Sequence, residues 1–120
     1  MSETFSAVER MFETNWPGFS TNPTSLGLSI RSKNRSFARI DPWKGHVTIV
    51  FFGRAKTLCL DEFRQPVQEI RYETHPRNRD PLDLRAELKF PFTADEWEQH
   101  RDRLSALTTA VYEAWENSGQ

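Results

Sequence analysis

Residues 35–52 read RSFARIDPWKGHVTIVFF, and this stretch decides the fold. Side chains alternate over residues 35–40 as they do along a strand, and residues 41–45 contain the proline and glycine of a turn. Residues 46–52 follow as a run that is apolar on both faces. Because a strand of that kind belongs in the interior of a sheet, the stretch predicts a hairpin whose second strand is central in the core.

A third strand is predicted on the amino-terminal side of this hairpin. Residues 26–30 (LGLSI) alternate with period two, and residues 33–34 suit a tight turn between this strand and the hairpin. Residues 19–24 are rich in Ser, Thr, Asn and Pro, which predicts a connecting loop. We therefore expect a meander of three antiparallel strands.

Further strand candidates lie later in the chain. Residues 82–90 alternate without a miss between apolar and charged side chains, which predicts a half-buried strand ended by the following proline. Residues 57–60 and 68–74 give weaker strand signals, and Asp61 is placed to cap a short helical turn that reaches Gln65. The sheet is thus expected to have about five strands.

Two amphipathic helices bracket the predicted strands. Residues 2–15 carry an apolar stripe at helical spacing, with Ser2 as the cap. Residues 93–116 begin with a capping box of Thr93 and Glu96 and carry a second apolar stripe. The order predicts an α+β fold, with an N-terminal helix, an antiparallel sheet of about five strands built on a three-stranded meander, and a long C-terminal helix packed on the sheet.

Length and composition set the class of protein. The 120 residues suffice for a single α+β domain over residues 1–120. The longest strongly apolar run, Val47–Phe52, is far shorter than the roughly 20 residues of a membrane helix. The first residues carry acids where a secretory signal has bases, and one cysteine, Cys59, excludes an internal disulfide. We expect a cytoplasmic protein without membrane contact.

The net charge of −1 conceals a basic segment. Residues 25–60 carry seven bases against one acid, or +6, whereas residues 61–120 carry thirteen acids against eight bases, or −5. Residues 1–24 carry the remaining −2. Such a division is typical either of an anion-binding surface or of two halves that attract each other when packed.

The candidate binding residues lie within this basic segment. They are Arg31, Lys33, Arg35, Arg39 and Trp43. The planar fork of arginine suits phosphate or carboxylate groups. Trp43 either stacks on a base, enters a pocket of a partner, or folds back under the edge of the sheet, and the sequence leaves these alternatives open.

Motifs of enzymatic chemistry are absent from the sequence. It contains no Gly-rich phosphate loop, no nucleophile elbow and no paired histidine and carboxylate of the metalloprotease type. The remaining enzymatic alternative is a metal-dependent nuclease using Asp61, Glu87 and Lys89, although alternating charges are also typical of the solvent face of a strand. Cys59, between two leucines, is expected to be an inert thiol. We expect no catalytic residue, no metal and no cofactor.

Residues 32–52 contain a basic turn, the pattern FARIxP, the dipeptide Lys44-Gly45 and an apolar strand. This pattern resembles the central hairpin of small bacterial domains of the YjbR-like and YdhG-like groups. The YjbR-like group is similar in fold to frataxin, which implies a helix, an antiparallel sheet and a closing helix. The resemblance implies a DNA-binding role for the basic hairpin by analogy of fold and no catalytic residue. It implies no iron site, because the first helix has three glutamates and not an acidic ridge.

The sequence favours a non-enzymatic binding module over an enzyme. Its four tryptophans and nine phenylalanines exceed what a core of this size must hide, so we expect a protein partner or self-association through the surplus aromatic surface. Nucleic-acid binding through the basic hairpin is the alternative, and it predicts affinity that falls with salt.

Overall fold

A computed structural model describes residues 3–16, 18–32, 35–74, 77 and 79–117, and this part of the chain has the predicted α+β fold. The elements, in chain order, are α1 (Glu3–Asn15), β1 (Ser20–Pro23), β2 (Leu28–Ser32), β3 (Arg35–Trp43), β4 (His46–Phe51), α2 (Gly53–Leu58), α3 (Leu60–Arg64), α4 (Pro66–Glu69), β5 (Leu88–Phe92) and α5 (Ala94–Asn117). Along the chain, an N-terminal helix precedes the five strands of an antiparallel sheet and a long C-terminal helix follows them, which confirms the fold class.

The two long helices follow the predicted apolar stripes. In α5, the capping box forms as expected, since Thr93 N–H donates to Glu96 Oε1 at 3.0 Å and Glu96 N–H donates to Thr93 Oγ1 at 3.2 Å. The expected cap of α1, Ser2, lies outside the described residues. The buried side chains are Phe5, Val8, Met11 and Phe12 in α1 and Trp97, Leu104, Leu107, Thr108, Val111 and Trp115 in α5.

The helices α1 and α5 are fastened to each other at the end of α1. Asn15 Nδ2 donates to the Ser105 carbonyl at 3.2 Å and to Ser105 Oγ at 3.0 Å. The indole N–H of Trp16, which is fully buried, donates to the carbonyl of Thr108 at 3.0 Å. These bonds satisfy polar groups that would otherwise be buried at a cost, and they hold the two helices as one layer.

The strands lie in the sheet in sequence order, each antiparallel to the next. β4 lies between β3 and β5, and each residue from Val47 to Phe51 is at most 2% exposed. The predicted central strand, buried on both faces, is therefore confirmed.

The loop predicted for residues 19–24 was wrong, because Ser20–Pro23 forms the edge strand β1. All four residues of β1 are exposed, so no alternation of apolar and polar side chains signals a strand. The proline is tolerated because an edge strand leaves one side of its backbone unpaired. The fifth strand of the sheet therefore precedes the meander.

The strand predicted for residues 57–60 was wrong, since α2 and α3 occupy this region. The segment predicted over residues 68–74 forms no strand of the sheet either: α4 ends at Glu69, and only Glu73 pairs, through an isolated bridge to Lys89. The short helical turn expected from Asp61 to Gln65 corresponds to α3, but Asp61 lies in its first turn and does not cap it, since Cys59 is the N-cap residue. Phe63 of α3 is fully buried, with its ring edge-on to Phe51 at 5.3 Å between centroids. Over four residues, a periodicity of two cannot be distinguished from one turn of a buried helix.

The strand predicted over residues 82–90 begins only at Leu88 and continues through Pro91 to Phe92. In the segment before β5, two aspartate side chains accept hydrogen bonds from the backbone two residues further on. Leu82 N–H donates to Asp80 Oδ1 at 2.9 Å, and Arg85 N–H donates to Asp83 Oδ1 at 2.8 Å. The ammonium of the buried Lys56 donates to the Asp83 carbonyl at 2.6 Å. Such local bonds hold the backbone in turns in place of a strand ladder.

One face of the sheet carries the core. The pairing of β2 with β3 shifts between Ile30 and Arg31, as at a bulge, and both Phe37 and its neighbour Ala38 are buried in the core. The Phe37 ring stacks on Trp16 at 3.4 Å between centroids and lies 5.8 Å from Trp115. The alternating residues on this face are Leu28, Ile30, Ile40, Val47, Ile49, Phe51, Leu88, Phe90 and Phe92.

The turn between β3 and β4 is shorter than the predicted residues 41–45. Pro42 pairs with Val47 and Trp43 pairs with His46, so the connection is Lys44-Gly45 alone. Gly45 has φ +87°, in the left-handed region that glycine adopts without a steric penalty. The other predicted turn, residues 33–34, lies outside the described residues.

Candidate binding cavity on the sheet

The strand register also determines which residues lie on the second face of the sheet, which we call the polar face. It carries Ser29, Arg39, Asp41, Trp43, His46, Thr48, Val50 and Lys89. Alternate residues of a strand point to opposite faces, so these positions follow from the burial of their neighbours in the core.

The structure separates the predicted binding residues along this face. Arg31 and Arg35 lie where β2 and β3 meet their connection, and Lys33 lies outside the described residues. Trp43 lies at the opposite end of β3, about 26 Å from Arg35 at about 3.3 Å per residue. The two arginines and Trp43 are therefore not brought together.

Arg39, midway along β3, is engaged in a buried ion pair. Its guanidinium donates to both carboxylate oxygens of Asp41, at 2.5 and 2.9 Å, and lies 3.8 Å from Glu87. It also lies over the ring of Phe52, 5.8 Å from the centroid. The hydrogen bond to Asp41 raises the pKa of Arg39 above its usual value, and burial opposes that rise. This charge is a counter-ion inside the protein and is not displayed to a ligand.

The three residues of the nuclease alternative are not brought together either. Lys89 lies in β5 on the polar face, and Glu87, just before β5, lies 3.8 Å from the Arg39 guanidinium. Asp61 lies on α3 among the helices, where its largely exposed carboxylate accepts from Arg64 Nε at 2.9 Å. The described residues contain no group of three or more His, Cys, Asp or Glu side chains placed to hold a metal ion.

Three cross-strand pairs enclose a cavity of about 230 Å³ on the polar face, and we call it the sheet cavity. Trp43 and His46, paired across the β3–β4 turn, form one wall, with rings nearly parallel at 12° and centroids 6.0 Å apart. Asp41 and Thr48, the next pair on this face, are almost fully buried. Lys89 and Glu73 form the far side, joined by two backbone hydrogen bonds of 2.8 and 3.0 Å. Paired positions share a face, which explains why all six side chains converge.

The polar groups of the sheet cavity differ in whether they are already satisfied. Asp41 accepts two hydrogen bonds from Arg39. The hydroxyl of Thr48, a residue only 2% exposed, makes no hydrogen bond with the described part of the chain. Within that same part, neither the Lys89 ammonium nor the Glu73 carboxylate forms an ion pair closer than 4 Å. The cavity therefore offers one hydroxyl, one ammonium and one carboxylate to an occupant.

A larger cavity, of about 280 Å³, lies between α1 and α5. Its polar lining is largely used within the protein, since Asn15 donates to Ser105 and Arg10 Nε bonds to the Ser6 carbonyl at 3.5 Å. Trp97, which is 5% exposed, also lines it, and the Trp97 indole N–H makes no hydrogen bond with the described part of the chain. The sheet cavity, by contrast, places a hydroxyl, an ammonium and a carboxylate beside the exposed ring of Trp43. The sheet cavity is therefore the stronger candidate site.

The thiol of Cys59 has the environment of an inert group. Burial, with a smaller contribution from the nearby Glu62, raises the pKa of Cys59 to about 11. The thiolate is the reactive form, so the thiol is unreactive near neutral pH, as the sequence predicted.

Sequence reasoning found Trp43 but missed most of the site. Asp41, His46, Thr48 and Glu73 were not predicted as binding residues, because their convergence depends on the register of three strands. The signal available was the two-residue turn at Lys44-Gly45, which pairs Trp43 with His46 and Asp41 with Thr48.

Comparison with known proteins returns no relative. No protein-family model, no curated protein and no solved structure matches this chain. The resemblance to the YjbR-like and YdhG-like groups therefore stays a prediction. Within the described residues, no helix combines the length and apolar character needed to cross a bilayer.

Proposed function

We propose that this chain is a non-enzymatic binding module that acts through the sheet cavity. The observation that carries the proposal is the Thr48 hydroxyl, which lines the cavity without a hydrogen-bond partner in the described part of the chain. The residue is only 2% exposed, but its hydroxyl oxygen is not itself fully buried, so it is open to the cavity. A polar occupant of the cavity can therefore accept from or donate to this hydroxyl without breaking a hydrogen bond within the protein.

Trp43 supports the same proposal. It is 55% exposed, whereas Trp16, Trp97 and Trp115 are at most 5% exposed and belong to the core. The aromatic surplus expected from composition is therefore concentrated in this one side chain, at the wall of the cavity. An exposed tryptophan held flat against a neighbouring ring is a stacking surface that needs little ordering when a ligand arrives.

Two observations favour binding over catalysis. The buried carboxylate of the cavity, Asp41, is held by Arg39 as an internal ion pair. The residues of the nuclease alternative, Asp61 with Glu87 and Lys89, lie on opposite layers of the fold. Catalytic groups must meet at the reacting atoms, so this separation does not favour the nuclease alternative.

A protein partner or a second copy of the chain is the second candidate occupant. It is favoured by Leu26, which is 56% exposed in the β1–β2 connection, at the same end of the sheet as Trp43. Sedimentation velocity tests self-association: a dimer lost in Trp43→Ala supports it, and a monomer at tens of micromolar removes it. We place this binding in the cytoplasm, consistent with the single thiol of Cys59.

Nucleic-acid binding through the basic hairpin is a separate alternative, favoured by the position of Arg31 and Arg35 at one end of the sheet. An electrophoretic mobility shift at low salt, lost on joint replacement of Arg31, Lys33 and Arg35, supports it. Absence of any shift with single- or double-stranded DNA and RNA refutes it.

Nuclear magnetic resonance tests the cavity directly. The protein, labelled with ¹⁵N, is titrated with five single-ring compounds: uridine, methyl glucoside, benzamide, benzoate and benzylamine. At least one should shift the amide signals of Asp41, Thr48 and Lys89 together, and Trp43→Ala should abolish those shifts. Leu26→Ala is the control, since Leu26 is exposed at the same end but does not line the cavity. Shifts that are absent, or equal in Trp43→Ala, would refute the proposal.

A further inference from the structure

We infer that the group held in the sheet cavity is an uncharged nucleobase ring, stacked on Trp43 and hydrogen-bonded along one edge, an inference that rests on the proposed function.

Size limits the occupant to one ring system. The sheet cavity has about 230 Å³, below the roughly 300–1,000 Å³ of pockets that enclose a whole drug-sized ligand. One nucleobase fits within this volume. The Trp43 and His46 rings are stacked, within 12° of parallel and 6.0 Å apart between centroids, and Trp43 is 55% exposed. A planar aromatic ligand gains stacking on the exposed surface of the Trp43 ring.

Charge balance favours an uncharged occupant. Lys89 is the positive side chain of the cavity lining, and Asp41 and Glu73 are the negative ones. Their charged neighbours outside the lining complete the balance, since Arg39 pairs with Asp41 and also faces Glu87, and Arg71 interacts with Glu73. A charged ligand would lose its hydration without meeting a net opposite charge, and that loss is costly. An uncharged ring that both donates and accepts hydrogen bonds avoids the cost.

The lining supplies donors and acceptors of the kind that read a base edge. The Lys89 ammonium donates only, the Glu73 carboxylate accepts only, and the Thr48 hydroxyl does either. A ring that presents an N–H group beside a carbonyl, as uracil does, meets the carboxylate with its N–H and the ammonium or hydroxyl with its oxygen. Carboxylate to base N–H and lysine to base carbonyl are pairings that proteins use for bases.

Calorimetric titration of the full chain with uridine and two methylated uridines tests the inference. Uridine should bind, and 3-methyluridine should bind at least tenfold more weakly, because its methyl group replaces the N–H of the edge. In 5-methyluridine the methyl group lies away from that N–H, so its affinity should be within about threefold of uridine. Lys89→Met should lower the affinity for uridine about tenfold. Lys44→Met, which changes an exposed lysine of the adjacent turn outside the cavity lining, should not.

The outcomes separate this inference from the proposed function. Equal affinity for uridine and 3-methyluridine would overturn the assigned edge. Tighter binding of methyl glucoside or benzylamine, still abolished by Trp43→Ala, would overturn the nucleobase and leave the binding module standing. No binding of any probe would overturn both.

A further titration distinguishes the two sources of the base. A ten-residue single-stranded oligothymidine that binds over a hundredfold more tightly than uridine, and loses that gain with salt, assigns the base to a nucleic-acid strand. Similar affinities assign it to a free nucleoside.

Discussion

Replacing Arg39 by methionine should remove the counter-ion of the buried Asp41 carboxylate. Their side chains are 11% and 4% exposed, so water does not screen the pair well. Removing one partner of a buried pair costs about 3–5 kcal/mol. A domain of this length has a free energy of unfolding of about 6–18 kcal/mol, at about 0.05–0.15 kcal/mol per residue. At about 4 °C per kcal/mol, Arg39→Met should lower Tm by about 12–20 °C.

The assay is chemical and thermal denaturation, with two comparison variants. Arg85→Met breaks a pair of the same spacing, Arg85 with Asp83 at 2.9 Å, but Arg85 is 86% exposed and solvent screens the pair, so Tm should change little. The double variant Arg39→Met with Asp41→Leu should recover most of the stability, because no unpaired charge remains. If Arg39→Met lowers the free energy of unfolding no more than Arg85→Met does, then the Arg39–Asp41 pair is not buried. The position of Asp41 in the lining of the sheet cavity would then be wrong.

Three further predictions concern the core, the thiol and the start of α5. Leu104→Ala should lower the free energy of unfolding by about 2–5 kcal/mol, because Leu104 is fully buried; an unchanged Tm would contradict the packing of α5 on the sheet. Cys59, with its pKa raised to about 11, should react with Ellman's reagent at pH 8 far more slowly in the native than in the unfolded protein; equal rates would contradict its burial. Hydrogen bonds from Arg71 and then from the Thr93 backbone lower the pKa of Glu96 to about 2. The stabilisation by Glu96 is therefore present above its ordinary value of 4.5 and lost as pH falls towards 2, and Glu96→Gln should remove that part of the pH dependence measured by urea denaturation; an identical profile would contradict it.

The elements that sequence predicted well are those whose side chains bury a regular stripe. β4 is apolar on both faces because it lies between two strands and beneath the helices, and α5 keeps one buried face over its whole length. In both elements, the apolar positions of the sequence are the positions that are buried in the core.

The elements that sequence missed are held by groups that leave no such pattern. β1 is exposed at all four residues and exists through its backbone pairing with β2. Residues 82–87 alternate like a strand, yet the carboxylates of Asp80 and Asp83 bond the backbone into turns and Lys56 fastens that segment. Backbone pairing, side-chain bonds to the backbone and the contact with Lys56 decide these regions, and none of them leaves a hydrophobic pattern in the sequence.

The sheet cavity illustrates the same limit at a functional site. Trp43 was predicted because an exposed aromatic near a turn suggests recognition. The positions of its neighbours in the cavity follow only from the strand register. Glu73 lies at the cavity because of an isolated bridge to Lys89. Thr48 could not be distinguished in the sequence from the other residues of a buried strand. A one-residue shift in register would move each of these side chains to the other face.

The most direct test of the central claim is the affinity of Thr48→Val for uridine, measured together with its Tm. Valine keeps the shape of threonine and removes only the hydroxyl. Because that hydroxyl has no partner in the described structure, Tm should equal or exceed that of the wild type, while the affinity for uridine should fall about tenfold. Unchanged affinity for uridine, or a wild type that does not bind uridine at millimolar concentration, would contradict the account.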